Sequence, residues 1–373
     1  MRIAQLANFV GPSSGGMRTA IEALGAGYTA AGVERVLVVP GPADEVRTTD
    51  TGDVVQLRAP RVGGGYRLIV EPWRVAEVLE RFAPTSLELN DKLTLLPAAR
   101  WARRRGVGTL LFSHEQLSDM FAMRSGIEAT RASIALLNRV LVRSVDTIVV
   151  ASRYAEREFG AVAAAVDCPV ARVPLGVDLD TFTPDPARAD RRPGDPLRLV
   201  HVGRLSREKS PHLAVATAVE LHGRGVPVRL DVYGEGPHRD ELEALAQRAP
   251  VTFHGYVDGR DELRRRIAGA DVALSVCPGE TFGLAVLEAM ACGTPVVTAD
   301  RGGARELVDA SSGGWAAPEP DALADAVLDV VRRPVASMRA GARRRAERYP
   351  WSAAVASMLA LHDGASSVSR ASA

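Results

Sequence analysis

The stretch PGETFGLAVLEAMACGTPVV, residues 278–297, reads as the end of one buried strand, a helix, and the start of the next strand. DVALSVC (271–277) ahead of it is a short apolar run of strand type, ended by Pro278 and Gly279. Helical spacing runs from Phe282 to Ala291, with Thr281 placed to cap it and Cys292-Gly293 to stop it before TPVVTA. The free backbone N–H groups of Phe282, Gly283 and Leu284 meet the positive end of the helix dipole, which makes an anion site. Gly283 permits close approach. Glu280 lies in the loop before the helix, and Glu288 nearly two turns along it. At about 100° per residue, Glu288 shares the face of the helix start. One carboxylate can accept hydroxyls from a sugar beyond a phosphate, the other from a ribose diol. A first-turn Glu that complements the dipole and a merely exposed second Glu give the same spacing.

Upstream, HVGRLSREKS (201–210) ends a strand in Gly203 and places Arg204 and Lys209 in the following loop. Two cations there can clamp a diphosphate and neutralise the charge growing on a leaving group, although a solvated basic loop has the same composition. GEGPHR (234–239) starts like a dinucleotide-binding turn but puts Arg239 where the third Gly belongs, which disfavours a dehydrogenase. Gly234 and Gly236 are expected to let the loop approach a base or ribose. GPSSGG (11–16) is a phosphate-cradle candidate, without the Gly-Lys-Ser/Thr of an NTPase loop. DLD (178–180) has the form of a metal-binding pair of acids, but it lies in interdomain sequence and no metal site is expected.

Strand and helix patterns alternate through most of the chain. RIAQLANF, VERVLVVPG, TSLELN, TLLFSH and TIVVAS precede a middle segment dense in Pro, Asp and Arg; LRLVHVG, VRLDVYG, VTFHGYV, DVALSVC and TPVVTAD follow it. The fold class is therefore α/β, with two Rossmann-like domains, a boundary near 183–195, and a cleft between them at the C-terminal strand ends. His114, closing TLLFSH, should face that cleft, unless it is a satisfied structural histidine. Asn90 and Asp91 are placed similarly, to touch an acceptor or to cap a helix. Arg18, after the Gly pair, meets an anionic acceptor group or sits on the surface.

The 373 residues suffice for two cores, and 46% hydrophobic with 24% charged residues fits a globular protein. A net charge of +1 gives no general pull toward nucleic acid. Cys168, Cys277 and Cys292 match neither a zinc site nor a CxxC pair, so buried thiols in a reducing compartment are expected. No stretch reaches the ~18–20 apolar residues of a membrane span. RWARRRGVG (100–108) combines Trp101 with Arg103, Arg104 and Arg105, a solvated helix end or a face for an anionic lipid surface. GARRRAERYPW (341–351) is a second basic cluster with no assigned task.

The chain resembles the retaining GT-B glycosyltransferases of family GT4 along almost its whole length. PGETFGLAVLEAMACGTPVV is similar to that family's EX7E motif, GRLSREK to its diphosphate loop, and SGG and PLGVD fall at the expected places. QLANFVGPSSGGMRTAIEALGAGY, GGGYR, LELNDKLTL and SHEQL resemble the actinobacterial GDP-mannose-dependent mannosyltransferases of phosphatidylinositol mannosides and related glycolipids. The resemblance implies an acceptor-binding domain over 1–185 and a donor-binding domain over 186–351. It also implies a last helix, about 352–366, that returns to the first domain with Trp351 as an anchor. Glu280 and the Phe282–Leu284 amides would hold donor sugar and phosphate, Glu288 the ribose, and Arg204 and Lys209 the diphosphate, with Gly16 at the phosphates. His114 would contact the donor sugar and support an oxocarbenium-like centre. The expected reaction is transfer of a hexose, mannose from GDP-mannose, onto a lipid-linked or glycolipid acceptor, without metal or other cofactor. The expected place is cytoplasmic, peripheral on the inner face of the plasma membrane. The rival readings are a non-hydrolysing nucleotide-sugar epimerase, a GT4 enzyme using a UDP-sugar and a soluble acceptor, and a binding module that has lost activity.

Overall fold

Short apolar runs, many of them β-branched, build two parallel sheets, one in each of two units. The computed structural model describes residues 1–8, 15–62, 66–92, 95–114, 128–188, 191–192 and 194–371, the side chains of 128–132 and 367–371 excepted. The first unit comprises Met1–Leu175 with Trp351–Ala373, and the second Gly176–Pro350.

In the first unit the strands are β1 (Arg2–Leu6), β2 (Glu34–Gly41), β3 (Glu45–Thr49), β4 (Gly52–Arg58), β5 (Ser86–Leu89), β6 (Gly108–Ser113), β7 (Thr147–Val150) and β8 (Val170–Arg172). They lie in the order β3-β4-β2-β1-β5-β6-β7-β8. Only the β3–β4 pair is antiparallel. Every residue of β5 and β6 is buried, as expected of central parallel strands covered on both faces. The exposed β3 forms an edge hairpin that the sequence reading did not contain. Helices Gly15–Ala30, Pro72–Phe82 and Leu96–Arg104 follow β1, β4 and β5.

The last helix, Trp351–Ala371, belongs to this unit, packing on β5, β6 and helix Gly15–Ala30. It runs past the expected 366, and its inward contacts come from Val355, Met358 and His362 rather than from half-buried Trp351. The contact is close: a Cβ on Gly27 would stand 2.2 Å from Val355.

In the second unit, β9 (Leu197–Val202), β10 (Val228–Tyr233), β11 (Val251–Gly255), β12 (Val272–Ser275), β13 (Val296–Ala299) and β14 (Gly313–Ala316) are all parallel. Their order is β11-β10-β9-β12-β13-β14. The chain winds outward from β9 one way and from β12 the other, so the switch point lies between these two strands. A crevice forms at such a point, beyond the C-terminal strand ends. In the first sheet the corresponding place lies between β1 and β5.

The boundary falls at 175/176, ahead of the expected 185/186. Phe182 is buried within the second unit, and Arg343 donates to the carbonyls of Leu179 (3.2 Å) and Phe182 (2.8 Å). Arg188 pairs with Asp271. The described residues of the Pro- and Arg-rich segment therefore belong to the second unit, held there by Phe182 and Arg188. Cys277 and Cys292 are buried free thiols, while Cys168 is half-buried, which corrects the expectation for that residue. No helix among the described residues is long and apolar enough to cross a membrane.

Candidate functional site

At the second switch point, the loops after β9 and β12 bring Arg204, Lys209, Glu280 and the following helix together. Lys209, in a short 3-10 turn over Arg207–Lys209, donates from Nζ to Glu280 Oε2 at 2.8 Å. Burial resists the Glu280 charge, but Lys209 and the amides of Phe282 and Thr281 outweigh it and hold the carboxyl below its ordinary value. Burial likewise resists the Lys209 charge, and Glu280 raises its pKa above the usual lysine value. Both groups are therefore ionised around neutrality. Arg204 reaches Glu208 at only 3.5 Å, and its buried Nε has no hydrogen-bond partner. It is thus a cation with bonding capacity to spare.

The helix begins at Leu284, two residues later than the spacing suggested, and ends at Ala291. Gly283, with φ 104°, is its N-cap, and no side chain caps it; Thr281 therefore does not serve as the cap. The Phe282 amide is turned toward Glu280, so in this state the loop's donors serve its own carboxylate. The loop after β13 supports it, with Gly303 N–H donating to the Glu280 carbonyl at 2.6 Å. Glu288 is half-buried; its carbonyl accepts from the Cys292 amide at 3.1 Å, and its carboxylate accepts no hydrogen bond among the described residues. Burial pushes its carboxyl up to about 7, with Arg260 opposing.

Gly203 and Gly234 meet backbone to backbone. Gly234 has φ 143°, and a Cβ there would stand 1.9 Å from the Gly203 carbonyl oxygen. Gly236 is met in the same way by the Leu205 carbonyl at 2.3 Å. The two glycines seat the β10 loop on the diphosphate-loop candidate, a protein contact where the sequence suggested approach of a base or ribose. The Asp178 carboxylate accepts from the amides of Asp180 and Thr181 and from the Thr181 hydroxyl. It closes a turn, and no metal-binding cluster occurs among the described residues.

At the first switch point, His114 Nε2 lies 2.7 Å from Asn90 Oδ1, and its ring stacks on Phe112. Burial lowers the imidazole pKa to about 4. Asn90 and Asp91 are turned into the unit: Asn90 is 4% exposed, and Asp91 accepts from Asn8 Nδ2 at 3.2 Å. Neither caps a helix, the N-cap of Leu96–Arg104 being Leu95. Arg18 is exposed and paired with Glu22 at 2.8 Å. Gly16 is exposed in the first turn of helix Gly15–Ala30. Residues 11–14 of GPSSGG, 63–65 of GGGYR, Leu93, and the part of SHEQL after His114 lie outside the described residues.

Residues 196–333 match the family described as glycosyl transferases group 1, and residues 15–176 a glycosyl transferase 4-like domain. The chain is 42% identical over 368 residues to the GDP-mannose-dependent alpha-(1-6)-phosphatidylinositol dimannoside mannosyltransferase of Mycobacterium tuberculosis, spanning 96% of this chain and 95% of that protein. The chain belongs to the GT4 glycosyltransferases. Its fold is GT-B: sucrose-phosphate synthase from Thermosynechococcus elongatus superposes with TM-score 0.80 at 21% identity, over 97% of this chain and 98% of the other. Anabaena HepE in complex with UDP-glucose gives 0.74 at 18%, over 99% of each chain.

Several groups that shape this glycosyltransferase escaped the sequence reading. Arg339 and Arg343 donate to the carbonyls of Cys292 and Ala291, clamping the C-terminal end of helix Leu284–Ala291. Arg345 does the same for Leu307 and Glu306. The second basic cluster therefore satisfies helix ends. In the first cluster, Trp101 packs against the core, Arg105 pairs with Glu80 at 2.5 Å, and Arg103 binds the Arg143 carbonyl. Arg103, Arg104 and Arg105 are all exposed, and Trp101 is half-buried.

Proposed function

We propose that this glycosyltransferase moves mannose from GDP-mannose onto a phosphatidylinositol-mannoside type of glycolipid, with retention of anomeric configuration. The observation that carries the reading is the charge set at the second switch point, where Arg204 and Lys209 stand beside Glu280 and a helix start. The mycobacterial relative supports the choice of donor and acceptor. In this reading a diphosphate takes Lys209 and the spare donors of Arg204, and Glu280 turns its freed oxygen to the sugar hydroxyls. The helix-start amides of Phe282–Leu284 complete the phosphate site of the second unit, and Glu288 receives the ribose diol. These cations supply the charge stabilisation that the leaving nucleoside diphosphate needs, so we propose that no metal is required.

The acceptor hydroxyl bonds to the anomeric carbon as the bond from that carbon to the diphosphate breaks. The departing phosphate takes the acceptor proton on the same face. A sugar trapped covalently on Glu280 would overturn that front-face course. The lipid acceptor would bring the enzyme to the inner face of the membrane from the cytoplasmic side. The exposed arginines of the first cluster, Arg100, Arg103, Arg104 and Arg105, are the residues that would meet anionic headgroups.

The test is a thermal-shift series with GDP-mannose and UDP-sugars, followed by mass spectrometry of products from phosphatidylinositol mannosides. Stabilisation and transfer are expected with GDP-mannose. Transfer from a UDP-sugar alone, or conversion of the donor without acceptor, would overturn the proposal and favour one of the rival readings.

A further inference from the structure

The backbone ladder across the second switch point is short. β9 and β12 pair only at Leu199 with Val272 and Val200 with Ala273, while β9 stays beside β10 as far as Val202 and β12 beside β13 as far as Ser275. The next pair in that register is His201 with Leu274, and there a side chain replaces the ladder: His201 Nδ1 lies 2.8 Å from the Leu274 carbonyl oxygen. A carbonyl only accepts, so Nδ1 carries the proton. Burial holds the imidazole pKa below its ordinary value, so the ring is neutral and Nε2 bears the lone pair. Nε2 has no hydrogen-bond partner among the described residues, and a Cβ on Gly203 would stand 3.4 Å from it. The ring is 5% exposed and lies against the glycine at which the Arg204 loop leaves β9.

Two more ties cross the same gap further along the loops. Cys277 Sγ donates to the Glu208 carbonyl at 3.2 Å, and Lys209 Nζ to Glu280 Oε2 at 2.8 Å. A thiol is a weak donor, and Lys209 is the group that the proposed diphosphate takes. The His201 bond uses no group assigned to a ligand. It is the tie that stays when Lys209 turns to a phosphate.

We infer that His201 is a positioning residue: its Nδ1–H bond to Leu274 sets the spacing between the loop carrying Arg204 and Lys209 and the loop carrying Glu280 and the helix start. The use of that spacing rests on the diphosphate site proposed above; the bond does not. Cations and amides stabilise a leaving group only when placed together, and a misplacement of about 1 Å can cost about 10²-fold. His201 acts through the backbone of two strands, not by contact with substrate.

The test compares His201→Asn with His201→Leu in the full chain. These two side chains are nearly equal in size and shape. The Asn amide can donate to Leu274 from the place of Nδ1, and Leu cannot. Affinities for GDP and inorganic pyrophosphate by calorimetry, and kcat with GDP-mannose, would be measured well below the melting transition of each variant. His201→Leu is expected to weaken both ligands about fivefold or more and to lower kcat about tenfold or more. His201→Asn is expected to stay within about threefold of the native protein in each. A merely structural histidine would lower the melting temperature and leave affinities and kcat of the folded variants unchanged. That result overturns the inference, as does a folded His201→Asn as impaired as His201→Leu. Should the variants fail to fold, a long-range proton–nitrogen correlation spectrum of the native protein, with His201 assigned through its backbone, decides the bond. A neutral ring protonated at Nδ1, with and without GDP, is expected; a proton on Nε2 overturns the inference. If the native protein bound neither GDP nor pyrophosphate, the diphosphate site would fall and this role with it. Native binding beside an unaffected His201→Leu overturns the role alone.

Discussion

Arg204 and Glu288 are two residues of the second unit whose bonding capacity is left unfilled. Arg204 has a buried Nε without a partner. Removing one donor that stabilises transition-state charge typically costs ~2.7–4 kcal/mol, so Arg204→Ala should lower turnover about 10²-fold or more. Steady-state kinetics with GDP-mannose would show it; near-normal turnover removes Arg204 from the diphosphate site. The carboxyl of Glu288 is raised from 4.5 to about 7. Between those values the folded protein binds the extra proton, so stability from this group is present at the acid end and lost as pH rises through the window. Hydroxyls donated by a ribose favour the ionised form and so release that proton. GDP affinity should therefore rise with pH up to about 7, by at most about tenfold per pH unit, and flatten above it. Calorimetric titrations from pH 5.5 to 8 would test this. Glu288→Gln should remove the slope, and the same slope in that variant would exclude Glu288 as its source.

Among the elements, the strand–loop–helix around Glu280 was legible because its signals are local. An apolar strand, a Pro-Gly stop and helical spacing all lie within twenty residues. Its cap was misread because Thr281 is a good capping residue by type, whereas the backbone at Gly283 turns left-handed and starts the helix later. The role of Gly234 was not legible at all, since it depends on a carbonyl 31 residues away in the chain. Gly234→Ala should push the β10 loop off Gly203, cost ~1–3 kcal/mol from backbone strain, and lower both the melting temperature and turnover. Unchanged melting and kinetics would mean that the two loops adjust freely. The buried acid in TSLELN and the polar break at Gln5 in the first strand were visible in sequence. Their explanation was not, because Glu88 finds its partners 60 and 274 positions away, at Tyr28 and His362.

For the whole molecule, alternation of strand and helix was enough to read two Rossmann-like units, because burial on both faces leaves continuous apolar runs. Composition placed their boundary badly. Pro, Asp and Arg mark exposed chain, but exposed chain is not the same as a division between cores. Phe182 and the Arg343 contacts assign 176–188 to the second unit. That unit is continuous in sequence, with its own sheet and core. Deleting residues 351–373 should therefore uncover β5 and β6 and abolish the cooperative melting of the first unit. A GDP-stabilised transition from the second should remain in scanning calorimetry. Two intact transitions in the truncated chain would show that the last helix is dispensable.

The return of helix Trp351–Ala371 to the first sheet also sets an order of events on the ribosome. The first unit has its strands by residue 175, yet the element covering β5 and β6 is made only after the 175 residues of the second unit. At about 5–20 residues per second that interval is roughly 10–35 s. Through it, the nascent chain carries an open apolar sheet face, and Glu88 lacks the donor that His362 will bring. The second unit, continuous and self-contained, can finish first although its synthesis starts later. Chaperones that hold nascent apolar surface would then engage this chain through its first half, and release it when the final helix emerges.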